Sequence, residues 1–282
     1  MTIAAGFCYD GGILLCADSL YTGGMKLHQT KLFPFQHSDG CVAFALAGNE
    51  GYGKFAIQEA QDAILASPEP EKSVKTVKRL LGKILKSVYS QHIDTRPQNE
   101  QYESQISLLV GLWNRREGFR LLATRKTVAI EINTYDCIGS GEYLGHYIIA
   151  PAYESKITRR QSVVLALQAM AAVKDHDPSC GGQSEFLAIS EGGKMTPLNF
   201  PPLHNSIRDA EDCIRDFQSI TRSLLFHLTD PALKDDQFAE HMDRCKIALL
   251  QMVRHRWKVA SRYGGDILTG EPFPQEEWED HA

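Results

Sequence analysis

The sequence contains no apolar stretch near the roughly 18 residues that a membrane span requires, and no C-x-x-C pair among its seven cysteines. Neither a membrane-spanning protein nor a disulfide scaffold is therefore expected. Basic excess is missing too: 30 Lys and Arg stand against 35 Asp and Glu, a net charge of -5. That balance argues against a nucleic-acid footprint and a polybasic membrane surface. The opening MTIAAGFCYDGG lacks a basic segment and meets Asp10 too early for a secretory signal. There is no G-x-S-x-G elbow, no H-E-x-x-H and no phosphate-binding loop, and Gly139-Ser140-Gly141 is no dinucleotide fingerprint. His176 with Cys180, or His241 with Cys245, would make only half of a zinc site, so neither metal nor cofactor is expected. What is present is a globular composition, 43% hydrophobic and 23% charged, with the scattered reduced thiols of a cytoplasmic protein.

Two short apolar runs, residues 2–9 and 13–18, flank Asp10-Gly11-Gly12 and predict an antiparallel hairpin. A Gly-rich loop at Thr22-Gly23-Gly24 leads to a second pair of runs, residues 31–35 and 41–48, so the first fifty residues read as a strand meander. Three- and four-residue periodicity over 53–67 and 71–93 predicts two helices separated by Pro68 and Pro70. Short strands follow at 106–113, 119–124, 128–132 and 135–139, then helices from about Glu142 and over 159–174, then a strand at 184–190. Strand blocks alternating with helix pairs predict an α+β protein of two packed sheets covered by helices, over residues 1–202. Beyond Pro201-Pro202 the pattern turns helical, with Ile207, Ala210, Ile214, Phe217, Thr221, Leu224 and Leu228 on one stripe and a second helix over 238–263. Residues 203–282 therefore form a helical extension ending in a loose acidic tail.

One constellation carries chemistry. Thr2 opens the first strand, Asp18 ends its return strand, Lys31 begins the next and Gly48 ends the one after. Singly, each has a structural explanation: a common second residue, a turn former, an edge charge, a turn glycine. Together they make an N-terminal nucleophile. A threonine hydroxyl needs a base, and the free α-amine of the same residue supplies one, with a reference pKa of about 7.7–8.0. A cation such as Lys31 holds that amine neutral and lowers the hydroxyl's pKa, Asp18 orients the cation, and the Gly48 N–H can donate to a developing oxyanion.

The run TIAAGFCYDGGILLCADS, the KLF strand start, ALAG, CIGSGEYLG and DPSCGG resemble the β-type subunits of the proteasome and their bacterial HslV-like relatives, over about residues 2–192. The resemblance implies a four-layer αββα sandwich of the N-terminal-nucleophile hydrolase type. It makes Thr2 the nucleophile, with Asp18 and Lys31 supporting it, Gly48 at the oxyanion hole, and Ser140 and Asp177 holding amine and hydroxyl in place. Cys180 stands where the family usually has Ser, with Ser179 one place earlier and Gly181 one place later as further supporting positions. Leu20 replaces a common Arg, and residues 203–282 have no counterpart in the ordinary β subunit. The expected activity is threonine-type hydrolysis of peptide bonds, in peptides or unfolded proteins, inside a homo-oligomeric ring with an ATP-dependent unfoldase as a possible partner. The alternatives are a non-catalytic scaffold subunit and a hydrolase of small amides. Because the base is the amine of Thr2, Met1 is expected to be removed, and Lys31→Ala is expected to abolish turnover with the fold intact.

Overall fold

The Asp10-Gly11 turn folds the start of the chain back on itself, with Gly11 at φ +86°, a conformation open to glycine without steric cost. In the computed structural model, which describes residues 2–23, 25–67, 73–198, 203–228 and 235–263, the turn joins β1 (Ile3–Tyr9) to β2 (Gly12–Asp18). They pair antiparallel with Ala5 opposite Cys16. Every residue of β2 is buried, as its two apolar faces predict for a strand between two layers.

The expected meander of the first fifty residues is three hairpins in three different sheets. After β2 the chain makes a small two-stranded hairpin, β3 (Leu20–Gly23) and β4 (Met25–His28), where a loop was expected. It then crosses to β5 (Leu32–His37) and β6 (Gly40–Gly48). The cause is edge occupancy: the free side of β2 is taken by a strand far along the chain, β11 (Ser184–Ser190), so β5 and β6 build elsewhere.

Asn49 caps α1 (Glu50–Ala66) by accepting from the Tyr52 N–H, and Ser73 caps α2 (Val74–Val88) at the Thr76 N–H. Pro68, Pro70 and the expected helix start at residue 71 lie outside the described residues. A short α3 (Gln98–Ser104), not anticipated from periodicity, leads into β7 (Ile106–Asn114), β8 (Gly118–Arg125), β9 (Val128–Ile132) and β10 (Tyr135–Gly139). Next come α4 (Glu142–Ile149), α5 (Arg159–His176) with a Thr158/Gln161 capping box, β11, and an unanticipated β12 (Lys194–Pro197).

The two main sheets run β10-β1-β2-β11-β12 and β5-β6-β7-β8-β9, each antiparallel throughout. Helices α4 and α5 cover the first sheet, while α1 and α2 cover the second through Val77, Leu81 and Leu85 against Phe44, Leu46 and Val110. The sequence's αββα sandwich is the observed architecture. Between the sheets the layer is rich in small residues, including Ala4, Ala17, Ala43, Ala45, Ala47 and Ala123. Larger side chains fit opposite glycines: a Cβ on Gly6 would come within 2.9 Å of Leu121 Cδ1, and one on Gly111 within 3.1 Å of Ile189 Cδ1. The sheets thus pack close, as dense interiors require.

The chain divides into two units, Met1–Asn199 and Phe200–Ala282. In the second, α6 (Leu203–Leu228) packs against α7 (Asp235–Tyr263), and His241 Nε2 meets Ser223 Oγ at 3.3 Å and Cys245 Sγ at 3.6 Å. The acidic tail and the boundary drawn at residue 202 lie outside the described residues. Among the described residues no helix is long and apolar enough to cross a membrane.

Overpacking the inter-sheet layer tests this arrangement. Gly6→Val is expected to lower unfolding stability by about 1–3 kcal/mol, and Leu121→Ala in the same chain to restore part of that loss. Chemical denaturation of the two single variants and the double variant measures the coupling.

Candidate active site

The β1–β2 register sets Ala4 opposite Ala17, which brings Thr2 and Asp18 to the same end of the first sheet. The Ile3 N–H donates to Asp18 Oδ1 at 3.1 Å. Lys31 arrives from the other sheet, immediately before β5, and its side chain is fully buried. Its ammonium donates to Thr2 Oγ1 at 2.6 Å, to Asp18 Oδ1 at 2.7 Å and to the Leu20 carbonyl at 2.6 Å. Three acceptors thus engage the three N–H groups of a lysine. Leu20 contributes only its backbone, so the absence of an Arg side chain there leaves this contact untouched.

Asp18 is held from two further directions, since its Oδ2 accepts from the Gly181 N–H at 2.9 Å. Burial pushes the Asp18 carboxyl up, and the Lys31 charge and the two backbone donors offset it only in part. Burial likewise pulls the Lys31 ammonium down, with Asp18 opposing. The Lys31 cation therefore holds its proton less firmly than a lysine in water.

The loop after β10 closes the other side of Thr2. The Thr2 N–H donates to Ser140 Oγ at 3.3 Å, and the Thr2 carbonyl accepts from Ser140 Oγ at 3.4 Å and from the Gly141 N–H at 3.3 Å. Gly139 permits this approach: its φ is +100°, and a Cβ there would fall 2.1 Å from the Thr2 carbonyl oxygen. Ser140 Oγ also lies 3.3 Å from Ser179 Oγ and 3.5 Å from Cys180 Sγ. Both of those side chains bond to Asp177, Ser179 to Oδ1 and Cys180 to Oδ2. Burial raises the Asp177 carboxyl, but the bonds from Ser179, Ser140 and Cys180 outweigh it and hold it below the usual aspartate range. Burial pushes the Cys180 thiol up to about 12, so it stays protonated and serves as a weak donor.

The structure therefore gathers Thr2, Asp18, Lys31, Ser140 and Gly181 in direct contact, with Asp177, Ser179 and Cys180 behind Ser140. Ser179 Oγ, one place before the position where the family usually has Ser, and the Cys180 thiol at that position both meet Ser140 and Asp177. Gly48 ends β6 at φ +97°, where a Cβ would meet the Gln105 carbonyl oxygen at 2.1 Å. The adjacent Ala47 faces Gly139, its Cβ 3.3 Å from where a Gly139 Cβ would stand. Two residues escaped the sequence reading. Glu185 Oε2 accepts from Thr30 Oγ1 at 2.8 Å and from the Lys31 N–H at 3.2 Å, which anchors the entry to β5. Its only sequence signal was a lone charge in an apolar strand. Tyr21 lays its ring against the Lys31 ammonium, 4.6 Å from the ring centroid, and no spacing announced it. Among the described residues no group of three or more His, Cys, Asp or Glu is arranged to hold a metal ion.

Residues 2–189 match the proteasome subunit family. The search of curated proteins gives no match. Among solved structures, Anbu (ancestral beta-subunit) from Yersinia bercovieri superposes with a TM-score of 0.66 at 18% identity, over 83% of this chain and 99% of that one. A Gly-1 mutant of Anbu from Hyphomicrobium sp. strain MC1 gives 0.66 at 15% identity, over 79% and 97%. The helical assembly of the Anbu complex from Pseudomonas aeruginosa gives 0.66 at 16%, over 81% and 98%. These likenesses establish a shared fold.

The buried pair changes what Lys31 substitution does. Lys31→Ala leaves Asp18 buried without its cation, so it is not the fold-neutral change expected from sequence. Lys31→Met and Asp18→Asn are each expected to destabilise by about 3–5 kcal/mol, and the double variant by clearly less than their sum. Urea denaturation of the four proteins reads the coupling directly.

Proposed function

The chain belongs to the proteasome subunit family, and from that premise we propose that it is a threonine-type N-terminal-nucleophile hydrolase cleaving peptide bonds. The observation that carries this reading is the 2.6 Å bond from the Lys31 ammonium to Thr2 Oγ1, made by a cation that Asp18 also holds. A cation donating to the hydroxyl oxygen favours its deprotonated form, and the Asp18 carboxylate on the same ammonium reduces that effect while holding the cation in place. Such a contact assists an otherwise weak nucleophile.

The base is the α-amine of Thr2, which exists only once the bond between residues 1 and 2 is cut. It takes the Oγ1 proton as the oxygen attacks the substrate carbonyl, and Lys31 stabilises the oxygen while its proton leaves. The Gly48 N–H is the candidate oxyanion donor. The resulting ammonium then protonates the departing amine, leaving an ester on Thr2. Water, deprotonated by the same amine, hydrolyses that ester and regenerates the hydroxyl. Ser140 holds the Thr2 nitrogen, and Asp177 with Ser179 and Cys180 fixes Ser140. Peptides or unfolded segments are the substrates of this reading, and a cytoplasmic homo-oligomer is its assembly. The related Anbu complex from Pseudomonas aeruginosa forms a helical assembly.

Two measurements test the proposal. First, hydrolysis of fluorogenic peptides should disappear in Thr2→Ala, and N-terminal sequencing of the active protein should begin at Thr2. Activity that survives Thr2→Ala would contradict the reading, and complete removal of residue 1 without any hydrolysis would favour a scaffold. Second, kcat/KM should follow a bell in pH. It rises as the amine loses its proton, because a protonated amine accepts nothing. It falls as Lys31 loses its charge, at a pH below the 10.5 of an ordinary lysine, since burial lowers that group. A profile flat from pH 6 to 10 would contradict these assignments.

A further inference from the structure

We propose that Tyr21 is a positioning residue, whose aromatic face shields the Lys31 ammonium from water and keeps it aimed at Thr2. Three observations carry this. The ammonium lies 4.6 Å from the Tyr21 ring centroid, within the range where the negative face of an aromatic ring attracts a cation. All three of its N–H groups are committed to Thr2, Asp18 and the Leu20 carbonyl, so the ring adds a contact that competes with none of them. Tyr21 is itself only 6% exposed, and its hydroxyl is buried with no hydrogen-bond partner among the described residues. A buried hydroxyl in that state opposes stability rather than supporting it. What the side chain offers the site is therefore its ring.

The charged and titratable groups around Lys31 come from separate elements. Asp18 stands on β2 and Glu185 on β11, and both carboxylates favour the charged form; Cys180, in the segment before β11, adds to them only as a thiolate, and burial keeps it a neutral thiol. Against them stands burial, the largest influence, which favours the neutral amine. The ring acts on both sides of this balance. As a wall it helps exclude water, and as a π-face it favours the cation. Removing the face while keeping the wall should lower the Lys31 pKa. Removing both should let water in and raise it.

The inference uses the proposed hydrolase reading only for its kinetic consequence, so its test has a readout without substrate. Protein labelled with ¹³C at the lysine ε-carbon is titrated by NMR, with the Lys31 signal assigned by its loss in Lys31→Met. Tyr21→Phe, which keeps the face and drops the unpartnered hydroxyl, should titrate as the parent does and unfold at the same or a higher denaturant concentration. Tyr21→Leu should lower the Lys31 pKa by about one unit, and Tyr21→Ser should raise it. If the protein hydrolyses peptides, the alkaline limb of kcat/KM should move down with Leu and stay in place with Phe. A Lys31 titration identical in the parent, Phe and Leu proteins would overturn the role of Tyr21, whether or not any peptide is cleaved. An absence of hydrolysis with the predicted titration shifts would overturn the hydrolase reading and leave Tyr21 in its place. Should Tyr21→Ser fail to fold, the contrast between Phe and Leu decides the matter.

Discussion

A fully buried lysine whose ammonium touches a threonine hydroxyl is the constraint around which this molecule is arranged. Burying a cation is costly unless it is paired and hydrogen-bonded. Here the pairing comes from Asp18, and the remaining bonds come from Thr2 and the Leu20 carbonyl. Each partner in turn has its own support. Asp18 is fixed by the Ile3 and Gly181 N–H groups, and the Lys31 backbone by Glu185. The polar network is therefore extensively bonded, a condition under which low dielectric strengthens hydrogen bonds instead of penalising them.

This arrangement depends on close packing of the two sheets. Thr2 and Asp18 belong to the sheet of β1 and β2, whereas Lys31 enters from the side of β5, so the contact spans the sandwich. A lysine stem bridges only a short distance, and the alanine-rich layer with Gly6 and Gly111 at its large neighbours keeps the sheets near enough. The loop bearing Gly139 and Ser140 reaches Thr2 for a similar reason, because a glycine replaces the Cβ that would strike the Thr2 carbonyl. Backbone conformation and core packing thus set the geometry on which any chemistry at Thr2 rests.

Local features were legible in the sequence and long-range ones only in part. The Asp10-Gly11 turn between apolar runs fixes the register that sets Thr2 beside Asp18, and this can be read without a structure. Periodicity likewise located α1, α2, α5 and the last two helices to within a few residues. The crossing from β2 to β5 was not legible, because it depends on β11 occupying the edge of β2. The sequence placed Lys31 at a strand start as the cation beside Thr2, but the full burial of its side chain was not legible there. Tyr21 was invisible, since its contact requires the β3–β4 hairpin in a segment whose glycines suggested a loop. The pair Ser179 and Cys180 was visible as a displaced hydroxyl, but it is the fold that sets both side chains against Asp177 and Ser140.

The central claim is that one residue supplies both the nucleophile and its base. A peptide epoxyketone interrogates both atoms in one reaction: the hydroxyl oxygen adds to the ketone and the amine of the same residue opens the epoxide, with no leaving group. Intact-mass spectrometry after such treatment should show a chain lacking Met1 and heavier by one whole inhibitor, and fragmentation should place the adduct at Thr2. An active protein that retains Met1, or an adduct on any other residue, would contradict the account.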